Sequence, residues 1–161
     1  MTNSIYHSEL IYNLNERLFM NTLAGVTDAQ AAKRVSEHNN PLVWLAAHTT
    51  WARYNTAALL GKPGNNPYAG LFEGFKPFDA SMKFDTLENI KKEWKKASEL
   101  VREGFKTVTE KHLAGEAPFQ NPTDDKTMGG AIAFLAQHES YEIGQMGFLK
   151  KYLTKEAMSY N

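Results

Sequence analysis

The chain has 161 residues, the length of one domain, and 42% hydrophobic with 22% charged residues is an ordinary globular composition. Lys+Arg and Asp+Glu balance at 18 each, so no global basic field steers the chain towards nucleic acid. There is no cysteine, which excludes disulfides, thiolate ligands and a cysteine nucleophile, so any thiol chemistry needs a thiol brought by a co-substrate.

The opening Met1-Thr2-Asn3-Ser4 has neither a basic nor an apolar signal region, and no apolar stretch approaches the ~20 residues of a membrane helix. The expected compartment is the cytoplasm. A first helix is expected from about Ser4 to Leu23, with the stripe His7, Ile11, Leu14 and Leu18. Asp28 to Val35 follow as a short connecting helix. The second helix takes Asn40 as cap and Pro41 at its first position, and stops at Gly61. Its inner positions are Leu45, His48, Ala52, Asn55 and Leu59, flanked by Trp44 and Trp51.

Residues Gly61 to Phe84 form a long connection rich in Gly, Pro and aromatics. A helix of ~20 residues spans ~30 Å, and a connection this long can cross that distance and let helices two and three lie parallel. Its Tyr68, Leu71, Phe72, Phe75 and Phe78 offer apolar material to pack over or beside a pocket. The third helix follows Asp85 or Thr86 as cap and repeats Leu87, Ile90, Trp94, Ala97, Val101 and Val108, ending near His112 to Gly115. Its basic run, Lys91 to Lys96, reads as a solvated face. Glu116 to Lys126 reads as loop, and the fourth helix runs from about Thr127 to Leu153 before a frayed tail. No strand pattern is present. The expectation is one all-α domain over residues 1–161, a four-helix bundle.

Helix four carries the chemistry. Its expected seam is Ala131, Leu135, His138, Glu142, Gln145, Leu149 and Tyr152, apolar at both ends and polar in the middle, flanked by Phe134, Tyr141 and Phe148. Residues four apart on a helix are neighbours, and a buried carboxylate without a partner costs several kcal/mol. Two partners are open: a metal ion, or a protonated histidine with Gln145 completing the hydrogen bonds. His48 has the same setting on helix two. Two histidines and a carboxylate match the ligand sets of catalytic zinc and non-haem iron sites. His7 lies on an inner stripe near a helix end, and His38 and His112 read as capping or surface residues. No phosphate loop, nucleophile elbow or His-Glu-x-x-His is present.

The run His138-Glu139-Ser140-Tyr141-Glu142-Ile143-Gly144-Gln145-Met146-Gly147-Phe148-Leu149 resembles the last-helix signature of the DinB superfamily, which includes YfiT-like proteins. There a His, three residues and a second His precede Ile-Gly-Gln. Pro41 to His48 resembles the family's second-helix motif, whose final His is the first ligand, and Pro67 to Phe72 is similar to its inter-helix loop. The resemblance implies up-down-down-up topology, a homodimer, and a divalent metal held by three histidines. His48 and His138 match the first two ligands, and Glu142 stands in the third place.

The family includes thiol-dependent transferases and isomerases that activate a small thiol at the metal. The resemblance therefore implies a divalent-metal enzyme of thiol-transferase or hydrolase type acting on a small-molecule substrate, the ion being zinc, nickel, iron or manganese. Asn55 and Gln145 would orient ligands or water, and Tyr141, Trp44 and Trp51 would wall the pocket. The alternative is a non-catalytic stress-response or binding bundle that has lost the metal and keeps the polar cluster as a structural feature.

Overall fold

The computed structural model describes residues 4–74 and 76–161. The leader reading on Met1 to Asn3 and the place of Phe75 in the aromatic connection lie outside the described residues. Four long helices carry the fold: α1 (Tyr6–Leu23), α3 (Leu42–Leu59), α5 (Leu87–Thr107) and α7 (Met128–Thr154). Three short ones sit in the connections: α2 (Asp28–Ala32), α4 (Ala69–Phe72) and α6 (Glu110–Leu113). Among the described residues there is no strand, only an antiparallel bridge between Glu116 and Thr127, so the all-α expectation holds. No helix among them is long and apolar enough to cross a membrane.

Threonine starts most of these helices. Thr86 accepts from the Asn89 amide, Thr109 from His112, Thr127 from Gly130, and Thr27 forms a full capping box with Gln30. Helix α3 begins one residue later than expected, with Pro41 as cap. It packs against both α5 and α7, while α1 packs against α7 and α5. Being central, α3 is buried almost all round, which its run of Leu, Val, Trp, Ala and Thr permits.

Several expectations shift. The third helix breaks at Thr107, not near Gly115, because Val108 is extended and Thr109 starts α6 afresh; the β-branched run Thr107-Val108-Thr109 favours the break. The tail does not fray. The Asn21 side chain donates to the carbonyls of Ser159 and Asn161, at 2.8 and 3.1 Å, and Met158 packs on the core. The buried face of α1 is not the His7, Ile11, Leu14 and Leu18 stripe; only Leu18 of these is buried, beside Tyr12, Asn15, Phe19, Thr22 and Leu23. A count of apolar residues misses this face because Asn15 and Thr22 bury on hydrogen bonds, to Ser140 Oγ and the Phe19 carbonyl. On α7, wedged between α1 and α3, the buried stripe is wider than the expected seam and includes Ile132, Ala136, Glu139, Ile143 and Met146, whereas Tyr152 is exposed.

At the centre lies an arginine. Arg53 of α3, 1% exposed, grips Glu139 of α7 with Nε and Nη2 at 3.0 and 3.1 Å. It also donates to Ser98 Oγ of α5 and to the Tyr12 carbonyl of α1, and its guanidinium lies 3.9 Å from the Trp94 ring centroid. Trp94 in turn stacks on Phe19 at 3.8 Å. Arg53→Ala strands Glu139 in the core and is expected to lower the unfolding free energy by about 3–5 kcal/mol, whereas Arg53→Met with Glu139→Leu recovers most of the loss. Urea denaturation followed by circular dichroism measures both, and an unchanged midpoint for Arg53→Ala would contradict the assignment.

Candidate metal centre

His48 leaves the middle of α3 and Glu142 the middle of α7, and the packing of these helices brings His48 Nδ1 to 2.5 Å from Glu142 Oε1. One turn back along α7, His138 Nε2 lies 3.9 Å from the same oxygen. A donor atom from each of the three residues lies within 4.8 Å of the others. The sequence-expected ligands therefore meet at one point.

Aromatic side chains fix the first imidazole. Trp44 stacks on the His48 ring at 4.6 Å, Trp51 lies at 5.2 Å, and Phe72 meets it edge-on at 5.0 Å. Phe72, from the long connection, thus packs beside the cluster on its closed side. Phe78 of the same connection lies under Arg34 instead. The second carboxylate oxygen of Glu142 is reached by Thr49, whose hydroxyl stands 2.9 Å from it and 2.7 Å from the Leu45 carbonyl. One hydroxyl proton serves two acceptors, so Thr49 orients the carboxylate without fully satisfying it.

The open side is a cavity of about 550 Å³. Asn55 and Trp51 line it from α3, Phe134 and Leu135 from α7, and the loop before α7 closes it with Phe119. Gln145 and Tyr141 line a separate hollow with Leu45 and Phe148, and Tyr141 is 63% exposed. The wall on the α7 side of the histidines is Phe134 and Leu135. His7 and His38 are exposed, and His112 bonds the Leu59 carbonyl at 2.7 Å. Sequence reasoning missed Thr49, which nothing distinguishes from other helical threonines. It also missed the Arg53–Glu139 pair, for which a lone arginine in an otherwise uncharged helix was the available signal.

The family model of the DinB superfamily matches residues 12–146. The chain belongs to the DinB superfamily. No curated protein matches it. Among solved structures, a conserved protein from Enterococcus faecalis, known from a crystal structure, is similar at a TM-score of 0.70 and 14% identity, covering 93% of this chain and 96% of that one. At that identity the likeness concerns the fold alone.

The cluster of this DinB-superfamily chain suits a divalent ion. Its donor set is two imidazoles and a carboxylate, and His138 Nδ1 is buried with no hydrogen-bond partner among the described residues. Burial holds the His138 imidazole below its usual 6.5, Glu142 pulls it upward, and His48 presses it down again. A neutral imidazole ligates without first losing a proton. The lowered value also fixes a sign. Below about pH 6.5 the unfolded chain takes a proton at His138 that the folded chain refuses, so this contribution to stability is full above that pH and is lost as pH falls towards the folded value. In metal-free protein, His138→Gln is expected to flatten the fall in stability below pH 6.5, read from denaturation midpoints across pH; an unaltered slope would show that His138 titrates normally.

Proposed function

We propose that the chain is a divalent-metal-dependent enzyme of thiol-transferase or hydrolase type, with His48, His138 and Glu142 as ligands. The observation that carries this is the convergence of these three donors, two of which, His48 and His138, line a largely apolar cavity. A bound divalent ion supplies Lewis-acid chemistry, lowering the pKa of a thiol or water beside it. The chain's own residues supply the rest. Trp44, Trp51 and Phe72 hold the His48 ring, Thr49 aims the carboxylate, and Phe134, Leu135 and Phe119 keep water from the reacting end. The thiol is borrowed, since the chain has none. Two nitrogens and an oxygen suit zinc, nickel, iron or manganese alike.

A second reading has one observation in its favour. The 2.5 Å contact between His48 and Glu142, with Thr49 on the other oxygen, pairs the carboxylate without any ion. On that reading the protein is a non-catalytic bundle. Elemental analysis of tag-free protein separates the two. The enzyme reading expects about one ion per chain, lost by at least tenfold in affinity in Glu142→Ala and kept in Glu142→His. No bound metal in wild type, with Glu142→Ala costing only stability, would establish the structural reading.

The same proposal takes the chain as one domain, cytoplasmic and up-down-down-up. Supporting the topology, Arg53 meets Ser98 and a Cβ at Gly104 would abut Leu60, so residue numbers rise together along α3 and α5. Along α3 and α7 they run opposite ways, from His48–Glu142 to Arg53–Glu139. The proposal also includes an isologous homodimer. Both helices of the packed pair α1 and α7 carry exposed apolar side chains, Ile11 and Leu14 on the first and Tyr141, Phe148 and Tyr152 on the second. Light scattering at micromolar concentration is expected to give twice the chain mass, and Phe148→Glu the single mass; a monomeric wild type removes the dimer.

A further inference from the structure

The cavity has a chemical character that the three ligands do not dictate. None of its lining residues is Asp, Glu, Lys or Arg; its only ionisable side chains are the two histidines at its inner end. The walls are chiefly Trp51, Phe119, Phe134 and Leu135, and most of their area is apolar. Two uncharged polar side chains interrupt them: Gln120, exposed on the loop before α7, and Asn55 within the wall. Asn55 lies on α3 between Trp51 and Leu59, half-buried, and its side-chain amide makes no hydrogen bond to any described residue. An amide that no protein group engages presents both a donor and an acceptor to whatever enters.

We infer that this cavity binds an uncharged small molecule with an aromatic or aliphatic body, whose single polar group is read by Asn55 and whose reactive end faces His48 and His138. The inference rests on the proposed enzyme reading only for the orientation of the ligand. Its volume of about 550 Å³ is that of a small organic ligand. A carboxylate or ammonium carried into these walls would lose its hydration and find no counter-charge, which sets the discrimination against charged compounds. It follows that a charged co-substrate, such as a zwitterionic thiol, keeps its charges at the mouth and outside the apolar walls. Phe119, 37% exposed at the loop before α7, is the rim against which the body of the ligand rests.

The test uses three probes of one shape: 4-phenylbutanamide, 4-phenylbutanoate and 4-phenylbutylammonium. Their affinities are measured by calorimetry on the full chain, after chelation and after loading with zinc. Chelated protein is expected to bind the amide at least tenfold more tightly than either ion. Equal binding of the three, preference for an ion, or no binding of the amide overturns the inference. Two variants place the probe. Ala58→Trp, on an exposed position at the cavity edge, is expected to weaken the amide at least fivefold, and Asn55→Leu to narrow its advantage over butylbenzene, with circular dichroism reporting the fold of each. Amide binding untouched by both folded variants means a different site and overturns the inference. Should Ala58→Trp not fold, Asn55→Leu alone decides. Metal content of the same samples is read separately. Metal without amide binding removes this inference and leaves the enzyme reading, while amide binding without metal does the reverse.

Discussion

Arg53 is the constraint on which the rest of the molecule depends. From α3 it reaches α1 through the Tyr12 carbonyl, α5 through Ser98 and the face of Trp94, and α7 through both oxygens of Glu139. Apolar side chains alone let helices slide and rotate with little change in buried area. A guanidinium cannot be treated so loosely, because its donors lie in a rigid fork, and each must find its acceptor when buried. A helix that turned out of register would strand a charge. The geometry that gives every guanidinium nitrogen an acceptor is therefore strongly preferred over its neighbours.

This constraint sets the candidate centre. Glu139 lies one residue beyond His138 and three before Glu142, so the rotation of α7 that delivers Glu139 to Arg53 also delivers His138 and Glu142 to the side of His48. Likewise Thr49 and His48 precede Arg53 by about one turn of α3. The two polar clusters are also coupled by charge. Burial pushes the Glu139 carboxyl above its usual range against the downward pull of Arg53, and the nearby Glu142 carboxylate pushes it the same way. A cation held at the cluster would offset that repulsion, and its binding would then favour the Arg53–Glu139 pair through charge alone.

The sequence was legible where periodicity and punctuation coincide. Pro41, Gly61, Thr86 and Thr127 mark real helix ends to within a residue, and His48, His138 and Glu142 stand out as polar residues among apolar neighbours. Reading failed where polar residues are buried on specific partners. Asn15, Ser98 and Glu139 look like surface residues in any hydrophobic count, since their burial depends on groups remote in sequence. The same blindness placed the face of α1 wrongly, because Leu10, Ile11 and Leu14 outscore Tyr12 and Asn15 in apolar content yet remain outside. The cavity wall was invisible for a different reason: Phe119 belongs to a loop whose composition marks a turn and says nothing of what the turn covers.

Were an ion held by His48, His138 and Glu142, the carboxylate would tie the centre to the cavity beside it. Three neutral histidines around a divalent ion leave two positive charges facing the cavity, whereas two histidines and a carboxylate leave one. In water that difference is strongly screened, and between walls of Trp, Phe and Leu it is screened less. An uncharged cavity tolerates the smaller charge at lower cost and asks for no anionic substrate to complete it. Thr49 adds to this arrangement: its one proton is shared between the Leu45 carbonyl and Glu142 Oε2, so that oxygen keeps lone pairs open to a further partner. Should a cation occupy the cluster, the carboxylate and the walls without charged side chains would act together, the one offsetting the ion's charge and the other leaving a neutral guest the lower cost of entry.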